Sequence, residues 1–172
     1  TAPLSGLSSM TGYEGGQPEE VGVSLGDPAA GIATAHLLVA ALIARRRTGE
    51  GQFIDTSLWE ATASSAIEGW TQQILTGTQP DLCGNRDPIM APHNLYRCQG
   101  EDEWVAICCS TDKQWEQMAT LLGLETEQFS SQAARKSNED ELDSLIENWT
   151  ASRDKWQVTA LLQEVGVPAM PS

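Results

Sequence analysis

The stretch that decides the fold is Val23–Glu60, VSLGDPAAGIATAHLLVAALIARRRTGEGQFIDTSLWE. The apolar run Val23–Leu25 predicts a short strand. Asp27 then precedes Pro28, a pattern typical of a helix start, because proline at the first helical position loses no hydrogen bond and an aspartate before it can accept one. No formal charge occurs between Pro28 and Ala44, which predicts a buried core helix of about 18 residues.

The end of this helix is marked equally clearly. Arg45–Arg47 fall in its last turn, where cations complement the carbonyl end of the helix dipole. Gly49 follows, and glycine adopts the left-handed cap conformation at little cost. Gln52–Leu58 then predicts a second strand, so the stretch is typical of an α/β domain.

Asp27 is the first candidate for chemistry in this stretch. It lies at the positive end of an apolar helix, where a carboxylate is held ionised and faces whatever occupies the cleft above the preceding strand. Ligands of open α/β sheets bind in such clefts. Spacing alone fits a plain helix cap as well.

Composition narrows the classes of function. The 172 residues carry a net charge of -14, which disfavours binding to phosphate backbones and so excludes nucleic acid as a main partner. The four cysteines, of which Cys108 and Cys109 are adjacent, lack the spacing of a metal site or a disulfide framework, so we expect reduced thiols and no metal. The run Pro28–Ala44 is at the short limit for a bilayer span and rich in Ala, and Thr1–Met10 lacks the features of a signal peptide. We therefore expect a cytoplasmic protein with no membrane segment.

The flanking sequence predicts two domains. Thr1–Glu20 is an irregular loop, as in the middle of a longer protein, and Trp59–Thr76 is a second helix that buries Trp70. A long polar loop over residues 78–94 follows, and we place a domain boundary near Gly77. Beyond it the sequence predicts strands at Asn94–Gln99 and Glu103–Ser110, both faces covered, then helices starting at Thr111, at Asn138 and at Ser152 or Asp154, and a terminal loop.

A series of short motifs runs along the chain in a fixed order: Leu25-Gly26-Asp27, Ala30-Gly31, Ala40-Ala41-Leu42, Arg45–Arg47, Thr48–Gln52, Asp55–Leu58, Gly84-Asn85-Arg86, Ala91-Pro92 and Gly166–Ala169. Together these motifs resemble those of the class III CoA-transferases, a family that includes carnitine and bile-acid CoA-transferases and 2-methylacyl-CoA racemase. The resemblance implies that residues 1–77 are part of a large CoA-binding and catalytic domain with a linker helix. Residues 78–172 correspond to a small α+β domain, and the chain resembles the central piece of proteins that interlock as homodimers.

The resemblance also implies the chemistry. The family's catalytic aspartate falls on Asp27, whose carboxylate attacks an acyl-CoA thioester and passes through an acyl-aspartyl anhydride and an aspartyl-CoA thioester. CoA then moves to a small carboxylic acid. Coenzyme A is thus a substrate, and no permanently bound cofactor is expected.

The remaining candidate site residues are expected to contact CoA. Gly26, Ala29 and Ala30 surround Asp27, and because Pro28 has no amide, Ala29 and Ala30 are the predicted oxyanion donors. Arg97 is a candidate for a substrate carboxylate or a CoA phosphate, with a surface ion pair as the plain alternative.

The loop from Gly84 to Pro92 corresponds to a glycine-rich flap in some relatives. Asp87–Met90 replaces its glycines here, which predicts a stiffer loop.

Two alternatives stay open on the sequence. One is a 2-methylacyl-CoA racemase in which Asp27 is an acid/base group, although neither His36, expected to be buried, nor His93 replaces the histidine of that branch. The other is a non-catalytic assembly domain derived from the family.

Overall fold

The computed structural model describes residues 2–20, 22, 25–124 and 127–172. The chain divides into two compact units, Thr1–Gly84 and Asn85–Ser172. The boundary between them along the sequence lies in the loop that follows Gly77, the residue near which the sequence predicted it. The helices are α1 Gly26–Thr48, α2 Leu58–Ser64, α3 Ile67–Thr76, α4 Asp112–Leu122, α5 Gln132–Ser137, α6 Glu139–Thr150 and α7 Lys155–Glu164; the strands are β1 His93–Arg97, β2 Trp104–Cys108 and β3 Ala169–Pro171. The predicted mixed α/β class is confirmed.

Helix α1 is longer than predicted, 23 residues, and it is not a buried core helix in this chain. Ile32 is 61% exposed and Leu42 58% exposed, and His36 is exposed as well. Its composition is apolar, but within the described part of the first unit these side chains lie at the surface. By length and composition α1 is also the one described helix that could cross a membrane, so the expected absence of membrane contact stays a prediction.

The strand predicted over Gln52–Leu58 does not form. Residues 52–57 are irregular, and Leu58 already belongs to α2. A strand needs a neighbouring strand to pair with, and the described residues of the first unit provide none. In the other predicted strand, Val23 and Ser24 lie outside the described residues.

The helix predicted over Trp59–Thr76 is two helices. The hydroxyl of Ser57 caps α2 by accepting from the Glu60 amide at 3.3 Å. The chain then leaves helical geometry at Ala66 (φ -104°, ψ 20°) before α3 begins. Helical periodicity alone does not reveal such a two-residue break.

The irregular N-terminal segment lies on these two helices. The Trp59 indole N–H donates to the Leu4 carbonyl at 2.8 Å, and the Trp70 indole N–H donates to the Ser5 carbonyl at 3.1 Å. Gly6 has φ +84°, and a Cβ added there would lie 3.7 Å from the Trp70 ring, so the ring packs against this glycine. Trp70 is 43% exposed, so it anchors this segment rather than filling a core as predicted.

The second unit contains a three-stranded antiparallel sheet in the order β1-β2-β3. The predicted hairpin is confirmed, with Tyr96 opposite Val105 and Leu95 opposite Ala106. The terminal loop of the prediction contains β3, which pairs with β2. Tyr96, Val105 and Ile107 are buried on one face, whereas Trp104, Ala106 and Cys108 on the other are only partly buried, so the prediction that both faces are covered is wrong.

Two of the predicted helix starts are confirmed by cap geometry. The Thr111 hydroxyl accepts from the Gln114 amide at 3.2 Å, and the Asp154 carboxylate accepts from the amides of Trp156 and Gln157. At the third, α6 follows Asn138, but the Asn138 side chain donates to the Ala134 carbonyl instead of capping the helix. The apolar faces of these helices meet the sheet in one core, which includes Trp115, Met118, Leu142, Ile146, Val158 and Leu162.

All four cysteines are free, as expected of reduced thiols. Cys98 and Cys109 are buried, and Cys83 and Cys108 are partly buried. Burial raises the pKa of Cys109 to about 12, although the nearby Arg135 opposes the shift. The Cys109 thiol is therefore held in its neutral form.

Candidate active site

Asp27 lies in the first turn of α1. The helix begins at Gly26, which is buried, and Pro28 is its third residue rather than its first. Leu25 occupies the N-cap position with helical backbone angles, and no side chain caps it. The reading of Asp27 as a helix cap is therefore wrong, and its carboxylate is exposed at the positive end of the helix.

The backbone donors near this carboxylate differ from the predicted ones. The Ala29 amide donates to the Leu25 carbonyl at 3.2 Å, so it already has a partner. Ala30 lies deeper in the helix, and its carbonyl accepts from the Thr34 hydroxyl at 2.7 Å. The first amides of a helix lack partners one turn back. Among the residues that the structure describes, nothing accepts a hydrogen bond from the amides of Gly26 and Asp27, which makes them the candidate donors. The position of Pro28, in the third rather than the first helical place, is the feature that the sequence interpretation missed.

The electrostatics of this position come from the helix itself. In the described part of its unit, no lysine or arginine lies within ion-pair distance of the Asp27 carboxylate. The arginines of α1, Arg45–Arg47, are in its last turn, at the opposite end. An exposed carboxylate without an ion-pair partner in this described region, beside the first amides of a helix, has the groups needed for a nucleophile and for holding a developing oxyanion.

Arg97 belongs to the other unit. It is exposed on β1, and its guanidinium lies 4.4 Å from the centroid of the Trp104 ring. No carboxylate in the described part of that unit pairs with it, so the surface ion pair considered from the sequence is not formed with any of those residues. Stacking fixes the plane of the guanidinium and leaves its N–H groups available to an anion. Gly26, Asp27, Ala29 and Ala30 are thus the candidate residues that the structure brings together.

The loop predicted to be stiff has a local hydrogen-bonded turn. One oxygen of the Asp87 carboxylate accepts from the Ile89 amide at 2.8 Å and from the Met90 amide at 2.7 Å. Partial burial opposes ionisation of this carboxyl group, but these two amides, helped by His93 and Lys136, lower its pKa below the usual value. The aspartate that replaces glycine here therefore holds the backbone in place.

Comparisons with known proteins agree with one another. The model of CoA-transferase family III matches residues 1–172. The chain is 31% identical to the succinyl-CoA–D-citramalate CoA-transferase of Chloroflexus aurantiacus, covering 96% of this chain and 42% of that protein. It is also 31% identical to the acetyl-CoA:oxalate CoA-transferase of Acetobacter aceti, covering 98% of this chain and 44% of that protein.

Comparison with solved structures agrees with the sequence comparisons. The crystal structure of a CaiB/BaiF family protein from Brucella suis superposes with a TM-score of 0.86 at 30% identity, over 99% of this chain and 46% of that one. The chain therefore spans less than half the length of the proteins it matches. Because the family model covers the whole of it, the chain belongs to CoA-transferase family III.

Proposed function

We propose that this protein transfers CoA from an acyl-CoA to a carboxylic acid and that Asp27 is the nucleophile. The observation that carries the proposal is the exposed Asp27 carboxylate in the first turn of α1, beside the amides of Gly26 and Asp27, which have no acceptor among the described residues. Relatives of this chain are named as CoA-transferases, which supports the same class of reaction.

The reaction begins with covalent catalysis by Asp27. Its carboxylate attacks the thioester carbonyl carbon, the C–S bond breaks, and CoA leaves as a thiolate. The product is a mixed anhydride between Asp27 and the acyl group. The thiolate then attacks the aspartyl carbonyl, which releases the donor acid as a carboxylate and leaves CoA on Asp27 as a thioester.

The second half repeats these steps with the acceptor. Its carboxylate attacks the aspartyl thioester, CoA leaves again, and the thiolate returns to the acceptor's acyl carbon to release free Asp27. Each attack places negative charge on a carbonyl oxygen beside the start of α1. The amides of Gly26 and Asp27, with the helix dipole behind them, stabilise that charge.

We further propose small carboxylic acids as substrates. Relatives are named for succinyl-CoA with citramalate or mesaconate, for oxalate, and for succinate with glutarate. Arg97, stacked on Trp104 with its N–H groups available, is the proposed contact for a carboxylate or a CoA phosphate. In this proposal residues 1–77 contribute to a large catalytic domain, residues 78–172 form the small domain, and the protein works as a cytoplasmic homodimer without a permanently bound cofactor.

The test is a CoA-transfer assay on the full-length protein, with succinyl-CoA as donor and oxalate, mesaconate, glutarate and citramalate as acceptors. Asp27→Asn and Asp27→Ala should each lower kcat by about a thousandfold or more, because they remove a covalent nucleophile. Asp81→Asn, an exposed loop aspartate of the same unit, is the matched control and should leave the rate unchanged.

Two results contradict the proposal. One is transfer that continues at the wild-type rate in Asp27→Ala. The other is exchange of deuterium at the acyl α-carbon without CoA transfer, which indicates a racemase.

A further inference from the structure

The loop segment of residues 85–91, here called the strap, is held by a ladder of side chains. The carbonyl oxygen of every second residue accepts one side-chain hydrogen bond, each of 2.7 Å. The pairs are Asn85 with His93 Nδ1, Asp87 with Lys136 Nζ, Ile89 with Gln132 Nε2 and Ala91 with Arg135 Nε.

The spacing of the ladder explains why a short helix suffices. The carbonyls of Asp87, Ile89 and Ala91 all accept from side chains of helix α5, so they share the side of the strap that faces this helix. Residues three and four apart share one face of a helix. Helix α5 therefore presents Gln132, Arg135 and Lys136 to these three carbonyls from a single turn.

Arg135 gives the ladder a rigid base. Its side chain is fully buried, and besides the Ala91 carbonyl it donates to the Phe129 carbonyl at 3.2 Å and to the Asp112 carboxylate at 2.8 Å. Its guanidinium also lies 5.7 Å from the centroid of the Trp115 ring, within the core. A donor held by this many partners cannot follow the strap if the strap moves.

The N-terminal end of the strap is fixed as well. Arg86 donates to the Asp143 carboxylate from Nε at 3.0 Å and from a terminal nitrogen at 2.7 Å, and to Asp140 at 2.6 Å. Asp143 is itself held by the Tyr96 hydroxyl at 2.7 Å. Within the strap, Asp87 also binds the amides of Ile89 and Met90. The segment is thus fixed at both ends and in its middle.

We propose that the strap is locked in the native protein, meaning that these hydrogen bonds hold it in one conformation, and that it stays locked while CoA is transferred rather than opening as a flap. The statement about turnover rests on the proposed function, whereas the locked state does not. Its tip then holds the Ile89 side chain, 73% exposed, in a fixed position as an apolar projection.

Hydrogen exchange of the full-length protein tests the lock, followed at the Ile89 and Met90 amides. In the wild type these amides should exchange about tenfold or more slowly than in an unstructured peptide. Lys136→Met and Gln132→Ala each remove one side-chain hydrogen bond to a strap carbonyl and should speed the exchange of these amides by about tenfold. Lys136→Met also removes the 2.6 Å ion pair between Lys136 and Glu139, which leaves Glu139 with the longer, 3.9 Å pair to Arg86. Gln132→Ala leaves both of these pairs in place, so it provides the second readout.

Lys113→Met on α4 is the matched control, since it removes an exposed lysine outside the ladder and should leave these rates unchanged. A second measurement adds succinyl-CoA and an acceptor to the wild type, and the strap amides should keep their slow exchange. The proposal is overturned if the wild-type amides exchange at the unstructured rate, if both ladder variants match the control, or if substrates speed the exchange. A locked strap in an inactive protein contradicts only the proposed function, and an open strap in an active enzyme contradicts only this inference.

Discussion

Replacing Arg135 by methionine should be among the most destabilising single changes in the second unit. Methionine keeps most of the aliphatic stem but has no donors, so the carbonyls of Ala91 and Phe129 lose their partner. A buried acceptor left without a hydrogen bond costs about 1–3 kcal/mol. The Asp112 side chain is 55% exposed and regains water, so its loss adds little. The sum is a destabilisation of about 2–6 kcal/mol.

Urea unfolding followed by far-UV circular dichroism measures this change as a shift in the free energy of unfolding. Arg135→Lys keeps the charge and at least one donor, so it should cost about half as much. Arg153→Met is the matched control: Arg153 is half-buried, lies 4.3 Å from the Trp149 ring centroid, and should cost about 1 kcal/mol or less. If Arg135→Met costs no more than Arg153→Met, the view that Arg135 fixes this unit is refuted.

Three further predictions concern ionisation and backbone strain. The pKa of the Asp87 carboxyl group is lower in the folded protein than in the unfolded chain. The stability that its ionised form contributes is therefore complete above about pH 4 and is lost as the pH falls through the folded-state pKa. In urea titrations the stability difference between wild type and Asp87→Asn should shrink over that range, and a constant difference down to about pH 3 would contradict this. The pKa of the Cys109 thiol is raised to about 12 in the folded protein, so the free energy of unfolding should fall between about pH 9 and 12, where the unfolded chain ionises this thiol first. At about pH 9 iodoacetamide should label Cys109 at least about tenfold more slowly in the native protein than in the urea-unfolded protein, and equal rates would contradict this. Gly12→Ala should lower the free energy of unfolding by about 1–3 kcal/mol in the urea assay. Gly12 has φ +145°, and a Cβ added there would lie 2.7 Å from the Gln17 carbonyl oxygen, whereas a Cβ at the control position Gly51 would meet open space. Equal stabilities of Gly12→Ala and Gly51→Ala would exclude this strain.

The elements that the sequence predicted well are those with local signals. The capping box at Thr111, the Asp154 cap and the hairpin between β1 and β2 each depend on residues a few positions apart. Such interactions form in much the same way in any tertiary setting. Their positions could therefore be taken from the sequence.

The elements that it missed depend on distant partners. Helix α5 has the sequence QAARKS, with no apolar stripe, and its buried residue is the cation Arg135. Its contacts to the strap and to Asp112 lie far away in the chain. Likewise β3, three residues long, exists because β2 offers an edge to pair with. Local propensity contains neither kind of information.

The burial of α1 was predicted wrongly for a related reason. Hydropathy shows that a helix is suited to burial, but not whether its neighbours lie in the same chain. The strand expected over 52–57 failed in the same way, since an extended segment needs a partner.

The candidate site was only partly predictable. The motif around Asp27 predicted a carboxylate just before the start of the helix, and in the structure it lies exposed in the first turn of α1; its catalytic role stays a prediction. Helix boundaries are uncertain by one or two residues from sequence, and that shift moved the free donors from Ala29 and Ala30 to Gly26 and Asp27.

The most direct test of the account is chemical trapping of the covalent intermediate. The full-length protein is incubated with succinyl-CoA, quenched with hydroxylamine, digested, and the peptide containing Asp27 is examined by mass spectrometry. The account predicts conversion of the Asp27 carboxylate to a hydroxamate, dependent on succinyl-CoA and absent from Asp27→Asn. Active CoA transfer with Asp27 unmodified, or with the hydroxamate on another residue, would contradict it.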